Sequence, residues 1–165
     1  MSKVKTIISF SLALLITISI SINSTDVQAK AIVFKPKNVV LVSSKSKLTG
    51  SNIVYLAKQY IGTPYKRGGT TTAGFDCSGF TMYIYNRFKV KLPRTAKDQT
   101  SKGTAIKKSA LKPGDLIFFG KPINHVGIYI GSGKFIHSPK PGAKVKILEL
   151  KYMPGFNTAR RITSK

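Results

Sequence analysis

The sequence predicts an α+β domain, with helices in its first half packed on an antiparallel sheet of about five to six strands. Apolar residues recur at helical spacing between residues 51 and 103, and the period becomes strand-like after residue 115. Helices first and strands later argue against alternating βαβ units. A length of 165 residues suits one compact core, and 42% hydrophobic residues, with 7 Tyr and 9 Phe, is too rich for a disordered chain.

Residues 1–29 read as an export signal. Lys3 and Lys5 form a positive start, Ile7 to Ile22 is apolar apart from serines and one threonine, and Val27, Gln28 and Ala29 offer a small-residue cleavage site. The apolar run of ~16 residues is shorter than the ~20 that span a bilayer, so cleavage after Ala29 is expected rather than a retained anchor. The mature chain would start at Lys30 with no membrane span. Removal of Lys3, Lys5 and Asp26 lowers the formal charge from +23 to +22. Residues 30–50 mix a short apolar run with Lys, Ser and Gly and read as a basic extended arm ending at Gly50. The domain then runs over 51–165.

Its first helix carries Ile53, Ala57, Tyr60 and Ile61 on one face and stops at Gly62 and Pro64. A Gly-rich loop, TPYKRGGTTTAGF, leads to a second helix in which Phe80, Ile84 and Phe88 share a face and Asp76 is placed to cap the start. A short third helix follows Thr95, which has capping-box spacing to Asp98, and Gly103 ends it. The apolar segments at 116–119, 125–130, 134–138, 145–148 and 157–162 are strands bounded by turns.

One cysteine excludes an internal disulfide, and two histidines with five carboxylates leave few ligands for a metal cage. Cys77 falls where the Gly-rich loop meets the second helix. Unpaired N–H groups and the helix dipole there favour a thiolate, which suits a nucleophile; the alternative is a small buried apolar residue. His125 and His137 lie on successive strands around Gly131, Ser132 and Gly133. If Ile136 joins Val126, Ile128 and Ile130 in the core, a two-residue loop pairing Ile130 with Phe135 is excluded by side-chain alternation. A three-residue loop puts His125, Gly127, Tyr129, Phe135 and His137 together on the other face. Such a set fits a thiolate with its base and an orienting group, or three ligands of a zinc ion. The close-spaced ligand pairs usual for zinc are absent from the sequence, which favours the nucleophile. Two unrelated hydrogen-bonded strand histidines are the third possibility.

Six blocks then occur in order: GTPYKRGG at 62–69, FDCSGF at 75–80, LPRT at 92–95, KPGDLIFF at 112–119, HVGIYIG at 125–131 and FIHS at 135–138. In sequence and spacing they resemble the NlpC/P60 cysteine peptidases over about residues 51–163. The resemblance implies a papain-like fold whose helical half carries the nucleophile and whose β half carries the base. Members hydrolyse amide bonds in bacterial cell-wall peptides, often that from γ-D-Glu to the following diamino acid, without a cofactor or metal. By motif, Cys77 would be the nucleophile, His125 the base and His137 the group that orients it. Tyr65 matches the active-site tyrosine and would help the Cys77 N–H hold the oxyanion, while Asp76 and Ser78 match positions lining the substrate groove. Arg94 and Asp115 also match and are read as fixing the fold through hydrogen bonds. Arg67 departs from the pattern, since many members carry an aromatic residue there.

The expectation is a secreted, wall-associated, monomeric cysteine endopeptidase or amidase acting on peptidoglycan stem peptides through a Cys-His-His acyl-enzyme. An acyltransferase of the same superfamily would use the same residues, and a cationic wall-binding protein would not need them. The positive charge points to anionic wall polymers as partners. Export argues against nucleic acid.

Overall fold

The computed structural model describes residues 47–163. The expected export signal and the arm up to residue 46 lie outside the described residues. Among the described residues, no helix is long and apolar enough to cross a membrane.

Helix α1 spans Gly50–Lys58, and the Thr49 hydroxyl accepts the Asn52 N–H at 3.2 Å, so the cap sets the start one residue before the expected Ser51. Ile53, Leu56 and Ala57 face the core. The helix ends earlier than the apolar spacing suggests: Tyr60 and Ile61 fall in the following turn, and Ile61 is exposed. There Gly62, at φ 92°, donates to Val145 O at 2.9 Å, which draws the chain away from the helix axis.

The Gly-rich loop folds into a two-stranded ribbon, β1 (Thr70–Thr71) and β2 (Gly74–Phe75). Helix α2 (Cys77–Asn86) follows, capped by Asp76, with Phe80, Ile84 and Tyr85 fully buried. Its end closes through Phe88 in a Schellman arrangement, with Lys89 at φ 63°, Lys89 N–H on Asn86 O and Val90 N–H on Tyr85 O. Helix α3 (Ala96–Gln99) is capped by Thr95, as its spacing to Asp98 predicts.

The remaining strands are β3 (Thr104–Ile106), β4 (Leu116–Phe119), β5 (His125–Gly131), β6 (Lys134–His137), β7 (Lys146–Glu149) and β8 (Phe156–Arg161). They form a six-stranded antiparallel sheet in the order β3-β8-β4-β5-β6-β7. The sheet buries apolar residues on both faces, which is why all four residues of β4 are covered. Leu116, Phe118, Val126, Ile128 and Ile136 pack with α1 and α2, whereas Ile117, Phe119, Phe135 and Ala159 form a second cluster.

The β5–β6 hairpin keeps the expected faces by a different device. Ile128 pairs with Ile136 and Tyr129 with Phe135, but the turn is the two residues Ser132 and Gly133, at φ 50° and 66°, rather than a three-residue loop. The extra residue sits in the strand: the register shifts between Tyr129 and Gly131, leaving Ile130 as a bulge that is only half-buried. Two positive φ values match the strand twist, so the tight turn forms and the bulge takes up the parity.

Candidate active site

Cys77 is the first residue of α2, and its Sγ lies 4.0 Å from the carbonyl oxygen of Asn124, the residue before His125. The helical layer thus delivers the sulfur to the start of β5. Partial burial, then the charge of Asp76, pushes the thiol pKa up; N–H groups of Val126, Ser78 and Cys77 itself pull it the other way. The sequence expectation that the helix terminus favours a thiolate is therefore offset here by desolvation. Desolvation thus favours the thiol form of the resting sulfur.

His125 and His137 are 8% and 2% exposed, and Nε2 of the first meets Nδ1 of the second at 2.8 Å. Burial pulls His125 down to about 4, and burial followed by the charges of His125 and Lys146 pulls His137 down to about 3. Both rings are neutral at pH 7, so one donates and the other accepts. If His125 is to take a proton at Nδ1, its Nε2 carries the hydrogen, and His137 must accept at Nδ1 and bear its own hydrogen on Nε2. That His137 Nε2 is buried without a partner among the described residues. Ligands of one ion would aim their nitrogens at it, whereas these aim two at each other, an arrangement suited to relaying orientation. Phe135, whose ring centroid is 4.7 Å from that of His137, and Phe119, 6.1 Å from His125, supply the apolar walls.

The neutral pair sets a pH dependence. An unfolded histidine titrates near 6.5. Below that value the unfolded chain takes up protons that the folded histidines refuse, so stability is full above pH 6.5 and is lost as pH falls towards 4 and 3. Denaturant titrations should show a loss of at least about 2 kcal/mol between pH 7 and pH 4, smaller in His137→Gln. A flat curve in the parent protein would show that the histidines are not desolvated.

The loop before Cys77 is held by Asp76. Its carboxylate accepts Gly79 N–H at 2.7 Å, Gly68 N–H at 3.0 Å and the Ser78 hydroxyl at 3.3 Å, and it pairs with Arg94. Burial raises the Asp76 pKa, but the Arg94 and backbone hydrogen bonds outweigh it and hold the carboxyl below its usual range. Arg94 also donates to the Ser78 hydroxyl at 2.9 Å. Gly79 allows the loop to lie on the helix, since a Cβ there would come 2.0 Å from Gly69 O. The Ser138 hydroxyl donates to Phe75 O at 2.7 Å and Tyr65 N–H to Ala143 O at 2.8 Å, tying this loop to the segment after β6.

Beside Cys77 runs a groove of about 460 Å³, lined among others by Arg67, Asp76, Ser78, Arg94, Lys97 and Asn124. Asp76 and Ser78 border it as expected, but their polar atoms are engaged with one another and with Arg94. Tyr65 is half-buried, and burial followed by the charges of Cys77 and Asp76 raises its hydroxyl pKa. The N–H groups of Cys77 and Ser78 carry no backbone or side-chain oxygen partner among the described residues. Arg94 and Asp115 part company. Asp115 is buried on Arg161 and the Lys112 N–H, a purely structural link, whereas Arg94 is 42% exposed at the groove. Gln99, fully buried, went unnoticed in the sequence; its amide donates to Ser78 O and Pro93 O and accepts the Thr81 hydroxyl, joining α3 to the start of α2.

The sequence profile of the NlpC/P60 family matches residues 62–159. The gamma-D-glutamyl-L-lysine dipeptidyl-peptidase of Bacillus subtilis (strain 168) is 42% identical over 112 residues, 65% of this chain and 38% of that protein. A probable endopeptidase NlpC homolog of Haemophilus influenzae is 39% identical over 127 residues, covering 74% of this chain and 69% of that one. Among solved structures, an NlpC/P60 family protein from Bacillus cereus ATCC 10987 superposes with a TM-score of 0.68 at 36% identity, over 72% of this chain and 42% of that chain. The chain thus spans about two fifths of the length of the Bacillus proteins it matches. Its helices and six-stranded antiparallel sheet are those of the NlpC/P60 structures.

Proposed function

The chain belongs to the NlpC/P60 family, and from that premise we propose that it is a secreted cysteine endopeptidase of peptidoglycan stem peptides, cutting the bond from γ-D-Glu to the diamino acid. The observation that carries the reading is the placement of the Cys77 thiol against the start of β5, whose His125 is hydrogen-bonded to His137.

His125 accepts the thiol proton at Nδ1 as Sγ attacks the amide carbonyl carbon, and the C=O electron pair moves onto oxygen. The Cys77 N–H, which has no oxygen partner among the described residues, receives the oxyanion together with the Tyr65 phenol. Collapse breaks the C–N bond while His125 returns the proton to the departing amine, leaving a thioester. Water, deprotonated by the same imidazole, then releases the acid and restores the thiol. His137 accepts from His125 Nε2–H throughout and fixes the tautomer that this sequence of transfers requires. Asp76 positions the nucleophile through the cap of α2.

Muropeptides released from purified walls, identified by mass spectrometry, test the reading. The expected products end at D-Glu and begin at the diamino acid, and the Cys77→Ala protein yields none. Products transferred to an added amine instead of water would identify an acyltransferase. Diffuse attraction holds the protein on anionic wall polymers through the +22 formal charge left after removal of Lys3, Lys5 and Asp26. Screening acts over about 8 Å at physiological ionic strength, so co-sedimentation with walls should fall steeply from low to high salt while turnover of a small neutral peptide changes little. Wall binding that persists in high salt would point to a specific contact.

A further inference from the structure

Within the groove beside Cys77, the charges do not balance. Among the described residues Asp76 is its one lining carboxylate, and both oxygens are spent on Arg94, Ser78, Gly68 and Gly79. Three cations line the same walls. Arg94 is neutralised by Asp76, but Arg67 and Lys97 are exposed and have no acidic partner within ion-pair distance among the described residues, where the pairs are Arg94–Asp76, Lys151–Glu149 and Arg161–Asp115. Arg67 follows Tyr65 by two residues on the loop before Cys77, and Lys97 sits on α3, so the two come from different elements. Their placement beside the nucleophile calls for an anion on the substrate.

We propose that Arg67 and Lys97 form a carboxylate subsite that selects stem peptides bearing a free carboxylate next to the scissile amide. The inference rests on the proposed activity and deepens it. A γ-linked glutamate reacts through its side-chain carbonyl and so leaves its α-carboxylate three carbons away, to be met by a guanidinium lining the same groove as Cys77. A diamino acid with a second carboxyl group offers the same chemistry from the leaving side. An arginine fork matches either group with two N–H donors, and an ammonium can close on it as a point charge. An aromatic residue in place of Arg67 could give neither.

The test compares peptides with γ-D-Glu against those with its α-amide, each carrying lysine or diaminopimelate as the next residue. Wild-type kcat/KM should favour the free α-carboxylate by about tenfold, with the preference reduced in high salt. Arg67→Gln and Lys97→Gln should each shrink it. Discrimination that follows diaminopimelate over lysine assigns the leaving-side carboxylate and equally supports the subsite. Calorimetric binding of the same peptides to Cys77→Ala protein reads the selectivity without turnover. Equal binding of acid and amide, or selectivity unchanged in both glutamine variants, overturns the subsite. Selective binding without any cleavage by the wild type overturns the hydrolase reading and leaves the subsite standing. Competition by a glycerol-phosphate polymer that ignores the peptide carboxylates would assign the cations to the wall polymer and overturn the proposal.

Discussion

Replacing Cys77 or His125 by alanine is expected to lower stem-peptide turnover by at least about 10⁴-fold, since in the proposed mechanism nucleophile and base act as one unit and losing either removes most of what both supply. Cys77→Ala should remain folded: the side chain is only partly buried and alanine is well tolerated in the first turn of a helix. His125→Ala leaves His137 Nδ1 without its partner and should cost about 1–3 kcal/mol, visible as a lower denaturation midpoint. His137→Gln retains an acceptor for His125 Nε2–H and should keep part of the activity. Steady-state kinetics beside circular dichroism separate the cases. A His137→Gln protein as inactive as Cys77→Ala would move His137 from orientation into the chemistry itself.

The second large effect is expected at Asp76→Ala. The substitution removes the α2 cap, strands the N–H groups of Gly68 and Gly79, and leaves Arg94 without its counter-charge. A cap is worth about 1 kcal/mol and a stranded buried donor about 1–3, while the partial exposure of Arg94 keeps the ion pair well below the value of a buried one. The sum should be a loss of about 2–4 kcal/mol, a large part of the stability of a small domain. Activity should fall as well, because Cys77 is the next residue and loses its fixed exit from the loop. Asp76→Asn keeps the acceptor for Gly79 and should fall between. Because the folded pKa of Asp76 is depressed, its contribution is present above the unfolded value near 3.9 and disappears as pH drops through the folded one. A loss under 1 kcal/mol for Asp76→Ala by urea denaturation would mean that the network merely decorates the loop.

Much of this site can be read in the sequence because its determinants are local. Asp76 before an apolar helical run is a cap wherever it occurs, and alternation along two adjacent strands is enough to turn His125 and His137 to one side. What escapes is set by distant partners. Strand β3 is a largely exposed Thr-Ala-Ile whose only reason to be extended is pairing with β8, more than fifty residues later. The ribbon of β1 and β2 has two residues a side, too few for any period. The bulge at Ile130 answers a conflict between turn geometry and core-facing parity that propensity cannot rank. Gln99 looks like a surface residue until α3 docks on α2. The raised thiol pKa escapes for the same reason: the helix terminus is visible in the sequence, whereas the desolvation opposing it belongs to the tertiary packing.

The position of β8 bears on the order in which the molecule can be made. Although synthesised last of the eight strands among the described residues, it lies inside the sheet, hydrogen-bonded to β3 on one side and β4 on the other. A nascent chain that has reached residue 150 already carries Cys77, His125 and His137, yet β4 still presents an open edge and β3 has nothing to join. Contacts this far apart in sequence form late because loop closure precedes any gain from pairing. These three side chains therefore exist in the growing polypeptide well before the scaffold that aligns them can close, and completion of the sheet waits on the insertion of its final strand.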